Sequence, residues 1–174
     1  MKNSIKKILY SKWEFKEPSQ SDVLIYDADP PFSQNLEKIL KKNTYQFFYT
    51  RGEVLNLPIL FKTLVTTGIK KIRFNYKKNI VKSINPKFVI TQNHSDIGLY
   101  DFKKYDGNFK IIIIQSSVYA LKFFKRNIHA KKLFKNSIDY FFTFGSLISK
   151  KLQKYLVGTK FFSYGSFKNN AYSG

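Results

Sequence analysis

Four consecutive isoleucines, Ile111, Ile112, Ile113 and Ile114, constrain this chain's fold more than any other feature. A run so short and so apolar fits a strand covered on both faces, the situation of a parallel sheet. Similar short apolar or aromatic runs occur at 23–26, 45–50, 88–91, 140–144 and 160–164. Helical signals fill the gaps. Pro30 opens a helix behind an Asp29 cap, with Leu36, Ile39 and Leu40 at helical spacing. Asn56 caps a second helix carrying Ile59, Leu60, Leu64 and Val65, and Gly68 stops it. Ile72, Tyr76, Ile80 and Ile84 form a stripe that ends ahead of Pro86. Helical pieces are also expected at 118–126, around Leu133 and Phe134, and after a Ser146 cap, with Ile148, Leu152 and Tyr155 on one face.

Strands separated by helices imply right-handed crossovers. The expected fold is therefore α/β, a Rossmann-like parallel sheet of about five or six strands with helices on both faces. Residues 1–20 form a lead-in segment, 21–170 a single Rossmann-like domain and 171–174 a tail. The length of 174 residues suffices to bury a core without disulfides.

Composition excludes several classes. Aromatic residues make up 18% of the chain, which is incompatible with disorder. The absence of cysteine excludes thiol catalysis, a disulfide framework and a Cys-ligated zinc. No apolar run approaches the ~18 residues of a membrane span, and the basic N-terminus is followed by no apolar signal segment. A cytoplasmic protein is expected, with contact to the inner membrane surface left open.

The net charge is +20, from 31 basic and 11 acidic residues. Residues 1–53 hold 9 basic and 7 acidic groups, and residues 54–174 hold 22 and 4. Such a surface suits a nucleic acid, an anionic membrane or a phosphorylated substrate. However, the chain has 28 Lys and only 3 Arg, the mark of A/T-rich codons. A nucleic-acid reader favours Arg for its planar fork, and the aromatics here fall at core spacing. Nucleic-acid binding is thus the alternative reading. The Lys-rich faces around Lys122, Lys125, Arg126, Lys131, Lys132 and Lys135 could meet anionic lipid or simply form a solvated helix face.

Ligands of parallel sheets gather at the carboxyl ends of the strands. Asp27 and Asp29 form the only close carboxylate pair there, suited to act as a base, to hold a sugar hydroxyl, or to cap a helix. Arg51 and Glu53 end the next strand and could hold an anionic or carbohydrate group, or pair with each other. Gln92, Asn93, His94 and Ser95 form the densest polar cluster, and His94 is the best general acid/base candidate by residue type. Gln115 and Ser116 follow the isoleucine run. Gly145, Ser166, Asn169 and Asn170 complete the strand-end candidates. No dinucleotide fingerprint, P-loop or GxSxG occurs, and the two His have no metal-ligand spacing. No cofactor or metal is expected.

Several of these segments, in this order, carry a resemblance. They are Trp13-x-Phe15-x-x-Pro18, Val23-Leu24-Ile25-Tyr26-Asp27, Tyr49-Thr50-Arg51-Gly52-Glu53 with Asn56-Leu57-Pro58, and Asn85-Pro86-Lys87-Phe88-Val89-Ile90-Thr91. Asp139-Tyr140-Phe141-Phe142-Thr143-Phe144-Gly145 and Gly165-Ser166-Phe167-Lys168-Asn169-Asn170 follow. The chain resembles the N-terminal part of a bacterial family of surface carbohydrate biosynthesis proteins of transferase type. It departs from that pattern at Gln92–Ser95 and at Gln115–Ser117.

The resemblance implies a glycosyltransferase-like architecture of two Rossmann-like halves, of which this chain is the first. It implies a role in surface polysaccharide or lipopolysaccharide assembly, on the acceptor side. Asp27, Arg51, His94 and Gln115 would contact a carbohydrate acceptor. A sugar nucleotide would be donor substrate, held mainly by a second transferase domain supplied in trans. Activity without that domain is left open, as is a non-catalytic remnant.

Overall fold

The computed structural model of the chain describes residues 10–27, 30–40, 45–50, 53–69, 71–117, 119–127 and 134–166. Asp29, Arg51, His129, Lys131, Lys132, Leu133, Asn169 and Asn170 lie outside them.

The elements follow in alternation. They are β1 (Lys12–Glu14), β2 (Val23–Tyr26), α1 (Pro30–Ile39), β3 (Tyr45–Phe48), β4 (Val54–Asn56), α2 (Leu57–Thr67) and α3 (Ile72–Ile84). Then come β5 (Phe88–Thr91), α4 (Ile97–Asp106), β6 (Lys110–Ile114), α5 (Tyr119–Arg126), β7 (Tyr140–Thr143), α6 (Ser146–Gln153) and β8 (Lys160–Ser163). Six strands form one sheet in the order β3-β2-β5-β6-β7-β8, with every pairing parallel. The expected α/β parallel sheet is therefore present. Strand order runs outward from β2 in one direction to β3 and in the other to β5, so it reverses between β2 and β5.

Asn56 caps α2 as the sequence predicts, its Oδ1 accepting from the Ile59 N–H at 3.2 Å. Gly68 ends that helix at φ +63°, a left-handed conformation open to glycine. Ser146 does not cap α6. Gly145 takes that place in extended backbone, and no side chain closes the helix end.

Two elements have no sequence forecast. One is α4. The other is the two-stranded parallel ribbon β1–β4, which pairs Lys12 with Val54 and Glu14 with Asn56. Asn56 also ties the ribbon to the chain before it, its Nδ2 donating to the Lys16 carbonyl at 2.7 Å.

The sheet's two faces differ. Leu24, Tyr26, Val89, Ile111, Ile113 and Phe141 lie on one face, in a large core with residues of α2, α3, α4, α5 and α6. Val23, Ile25 and Ile90 lie on the other, packed by Phe32, Leu36 and Leu40 from α1 and its end. The isoleucine run is thus covered unequally. Ile111 and Ile113 are fully buried, whereas Ile112 and Ile114 are half-buried at the margin of the smaller core.

Candidate functional site

An open cleft of about 750 Å³ lies at the carboxyl ends of β2, β3 and β5. It occupies the point where strand order reverses, where sheets of this kind part their loops and admit ligands.

Its floor begins with Asp27, directly after β2. The residue takes a left-handed conformation, φ +52°, which a short polar side chain tolerates. Its carboxylate is buried and anchored on both sides. Oδ1 accepts from the Thr50 N–H at 3.3 Å, and Oδ2 accepts from Asn93 Nδ2 at 2.5 Å. Asn93 is fixed in turn. Its N–H donates to Thr91 Oγ1 at 2.9 Å, and its Oδ1 accepts from the Ser95 N–H at 3.0 Å. Three strand ends are thereby locked together, and Asp27, Thr50, Asn93 and Ser95 all line the cleft.

The far wall is the start of α3 and the turn before it: Ile69, Lys71, Ile72, Arg73 and Phe74. Lys71 and Arg73 are exposed and have no ion-pair partner among the described residues. They bring two positive charges to the same cleft as Asp27 and Asn93.

A largely buried polar knot forms part of the same lining, through Lys77 and Asp96. Asp96 caps α4 through the Gly98 N–H at 3.1 Å. Its Oδ2 also accepts from Tyr26 Oη at 2.8 Å and pairs with Lys77 Nζ at 2.6 Å. Burial, and then the neighbouring Asp96 carboxylate, hold the Tyr26 hydroxyl well above its usual pKa, so it remains a donor. This knot joins β2, α3 and α4 and fixes the wall against the floor. Arg73, Lys71, Lys77 and Asp96 carry no local sequence motif. Asp96 and Lys77 are 19 residues apart, and the two rim cations are lost in a Lys-rich background.

Of the sequence candidates, the cleft brings together Asp27 and Asn93. His94 points elsewhere: its ring is buried against Phe123 and Phe124 of α5, with centroids 5.7 and 6.2 Å away. Burial lowers its pKa, and Nδ1 has no hydrogen-bond partner among the described residues. Gln92 is also buried, and its Oε1 has no partner among the described residues.

Gln115 is a clasp between strand ends. Its Nε2 donates to the Ser117 carbonyl at 2.9 Å, and its Oε1 accepts from the Phe144 N–H at 3.0 Å. Ser116 follows it without joining the cleft lining. Gly145 starts α6, its carbonyl accepting from Ile148 and Ser149. Glu53 is exposed, and its carbonyl accepts from the Lys12 N–H in the ribbon. Ser166 lies beyond β8, outside the cleft lining.

Among the described residues no group of three or more His, Cys, Asp or Glu side chains could hold a metal ion. Comparison with protein families, curated proteins and solved structures finds no match to this chain.

Proposed function

We propose that this chain is a glycosyltransferase-like domain of bacterial surface carbohydrate assembly, with the reversal-point cleft taking an anionic saccharide as acceptor. One observation supports the reading above the rest: a buried, doubly anchored carboxylate shares the lining of an open cleft with two cations that have no ion-pair partner among the described residues. A carboxylate beside an amide suits sugar hydroxyls, accepting from one while the amide donates to or accepts from its neighbour. Cations in the same lining suit a phosphate or a carboxylate on the same ligand. Phe74 and Ile72 supply apolar surface for the ring's faces.

In a transfer reaction Asp27 is the group placed to accept the acceptor hydroxyl's proton. Leaving-group stabilisation would fall to the donor side, in a second domain. A nucleic-acid ligand is less favoured, because the basic excess is almost all Lys, with only 3 Arg to supply the planar fork that phosphate and base edges favour.

The test is titration of the purified chain with sugar phosphates and sugar nucleotides, followed by calorimetry. Asp27→Asn keeps the left-handed turn, because Asn tolerates it, and removes the charge. Phosphorylated saccharides should bind, and Arg73→Ala and Asp27→Asn should each weaken them at least about tenfold, worth about 1.4 kcal/mol. Binding that is indifferent to both substitutions, or no binding by any member of the panel, would overturn the proposal.

A further inference from the structure

Helix α2 is apolar nearly all round. Its inner side buries Ile59 against α3, with Thr63 Oγ1 bonded back to the Ile59 carbonyl at 2.7 Å. Its outer side carries Leu57, Phe61, Leu64 and Val65, spaced as one continuous stripe. These residues face solvent: Phe61 is 67% exposed and Val65 70%. Ile69, 82% exposed, extends the stripe past the Gly68 cap to the edge of the cleft. An apolar helix is ordinarily a buried one, and a contiguous exposed patch of this kind marks a contact surface.

The charge around the stripe selects its partner. Between Glu53 and Asp96 the chain has no acidic residue and eight basic ones. Of these, Lys62 sits beside Phe61 on the exposed side of α2, and Lys71 and Arg73 follow the stripe's end. A second copy is disfavoured, because each chain carries +20. The stripe offers aliphatic groups and one Phe, with no Tyr, Trp or Arg anchor and no polar atom to fix a protein partner's orientation. Apolar side chains with flanking Lys stems are instead the pattern of a helix lying in a lipid interface.

The basic helix α5 differs. Lys122, Lys125 and Arg126 are exposed, but Phe124 is turned fully inward and Leu121 and Phe123 pack against the core. It offers charge alone. No helix among the described residues is long and apolar enough to cross a membrane.

We infer that α2, through Leu57, Phe61, Leu64, Val65 and Ile69 with Lys62, docks this chain on an anionic bilayer surface. The mouth of the cleft is thereby held beside the headgroups.

The test is co-sedimentation of the full chain with vesicles of equal parts phosphatidylcholine and phosphatidylglycerol, against vesicles of phosphatidylcholine alone. Binding to the mixed vesicles, weak binding to the neutral ones, and loss with rising salt are expected. The double variant Phe61→Ser, Val65→Ser should lower partition at least about tenfold. Both positions are exposed, and an unchanged thermal midpoint confirms the fold is intact. Lys122→Glu with Lys125→Glu on α5 should reduce binding less. The inference is overturned by equal binding to neutral vesicles, by no binding to either, or by greater loss in the α5 variant than in the α2 variant. Failure to sediment together with capture of α2 by an acidic protein would assign the stripe to a protein partner, and also overturns it.

Discussion

Phe141 and Phe142 are neighbours on β7, yet they occupy different environments. Phe141 is fully buried in the large core, stacked on Phe161 at 5.9 Å and edge-on to Phe124 at 6.4 Å. Phe142 points to the opposite face, stacked on Phe162 at 5.1 Å with Tyr164 edge-on at 6.3 Å. Residues of five helices join the first core, whereas those of α1 alone among the described helices join the second. Tyr140, Phe142, Phe162 and Tyr164 belong to neither. The two faces are built from equally apolar residues. What separates them is the direction of the crossovers. After the single step from β2 to β3, every later connection moves the other way along the sheet, and right-handed crossovers place its helices on one side.

The sharpest way to break this comparison is to truncate the two rings in turn. Phe141→Ala should cost about 3–5 kcal/mol, the cost of a cavity in a packed core. Phe142→Ala should cost under about 1.5 kcal/mol, because its ring is already partly in water. Urea denaturation midpoints measure both. Similar losses would mean that the second face is covered as fully as the first.

The covered face should also raise the cost of breaking an ion pair. Lys77 and Asp96 lie 2.6 Å apart with side chains 10% and 14% exposed. Lys87 and Asp22 lie 2.9 Å apart with side chains 72% and 54% exposed. Lys77→Met should destabilise by about 3 kcal/mol, since it leaves a carboxylate uncompensated away from water. Lys87→Met should change stability by under about 1 kcal/mol, since solvent already screens that pair. A raised salt concentration should erase the second effect and spare the first. Equal losses would show that Asp96 reaches water through the cleft.

Much of this architecture is legible in the chain because it rests on local pattern. The strands read as short apolar runs, and α2 and α3 as a capped helix and a four-residue stripe. Helix α4 is not legible, because Leu99, Tyr100 and Phe102 face the core without a clean helical period and Gly98 weakens its first turn. The ribbon has no local signal at all, since three residues gain strand form only by pairing with three others some forty positions away. For the site, Asp27 and Asn93 stand out as strand-end polar groups. His94 stands out equally, and nothing in a sequence tells which of two adjacent residues turns inward. The rim cations emerge only when α3 is laid against β2. The expectation that the aromatics lie inside fails at Tyr10, Phe15, Phe61, Phe88, Phe162 and Tyr164; of these, Phe162 and Tyr164 stand on the face left open by the one-sided helix packing, and Phe61 on the outer side of α2.

His94 tests the same asymmetry with the smallest expected effect. It is the sole imidazole among the described residues, and it titrates against the aromatic layer of the covered face. Burial lowers its pKa, and the backbone bond to the Gln92 carbonyl opposes that shift more weakly. The unfolded chain therefore binds the proton first as pH falls, at the ordinary value of about 6.5. Stability from this group is fully present above that pH. It declines as pH drops through it and levels off once the folded imidazole also protonates. The slope is at most ~1.4 kcal/mol per pH unit over that window. His94→Gln removes the titrating group, so the difference in unfolding free energy between the two proteins should vary with pH only below about 6.5. Parallel pH profiles for wild type and variant would mean that the ring is solvated in the fold, and the aromatic layer of α5 would then be open where Phe123 and Phe124 now close it.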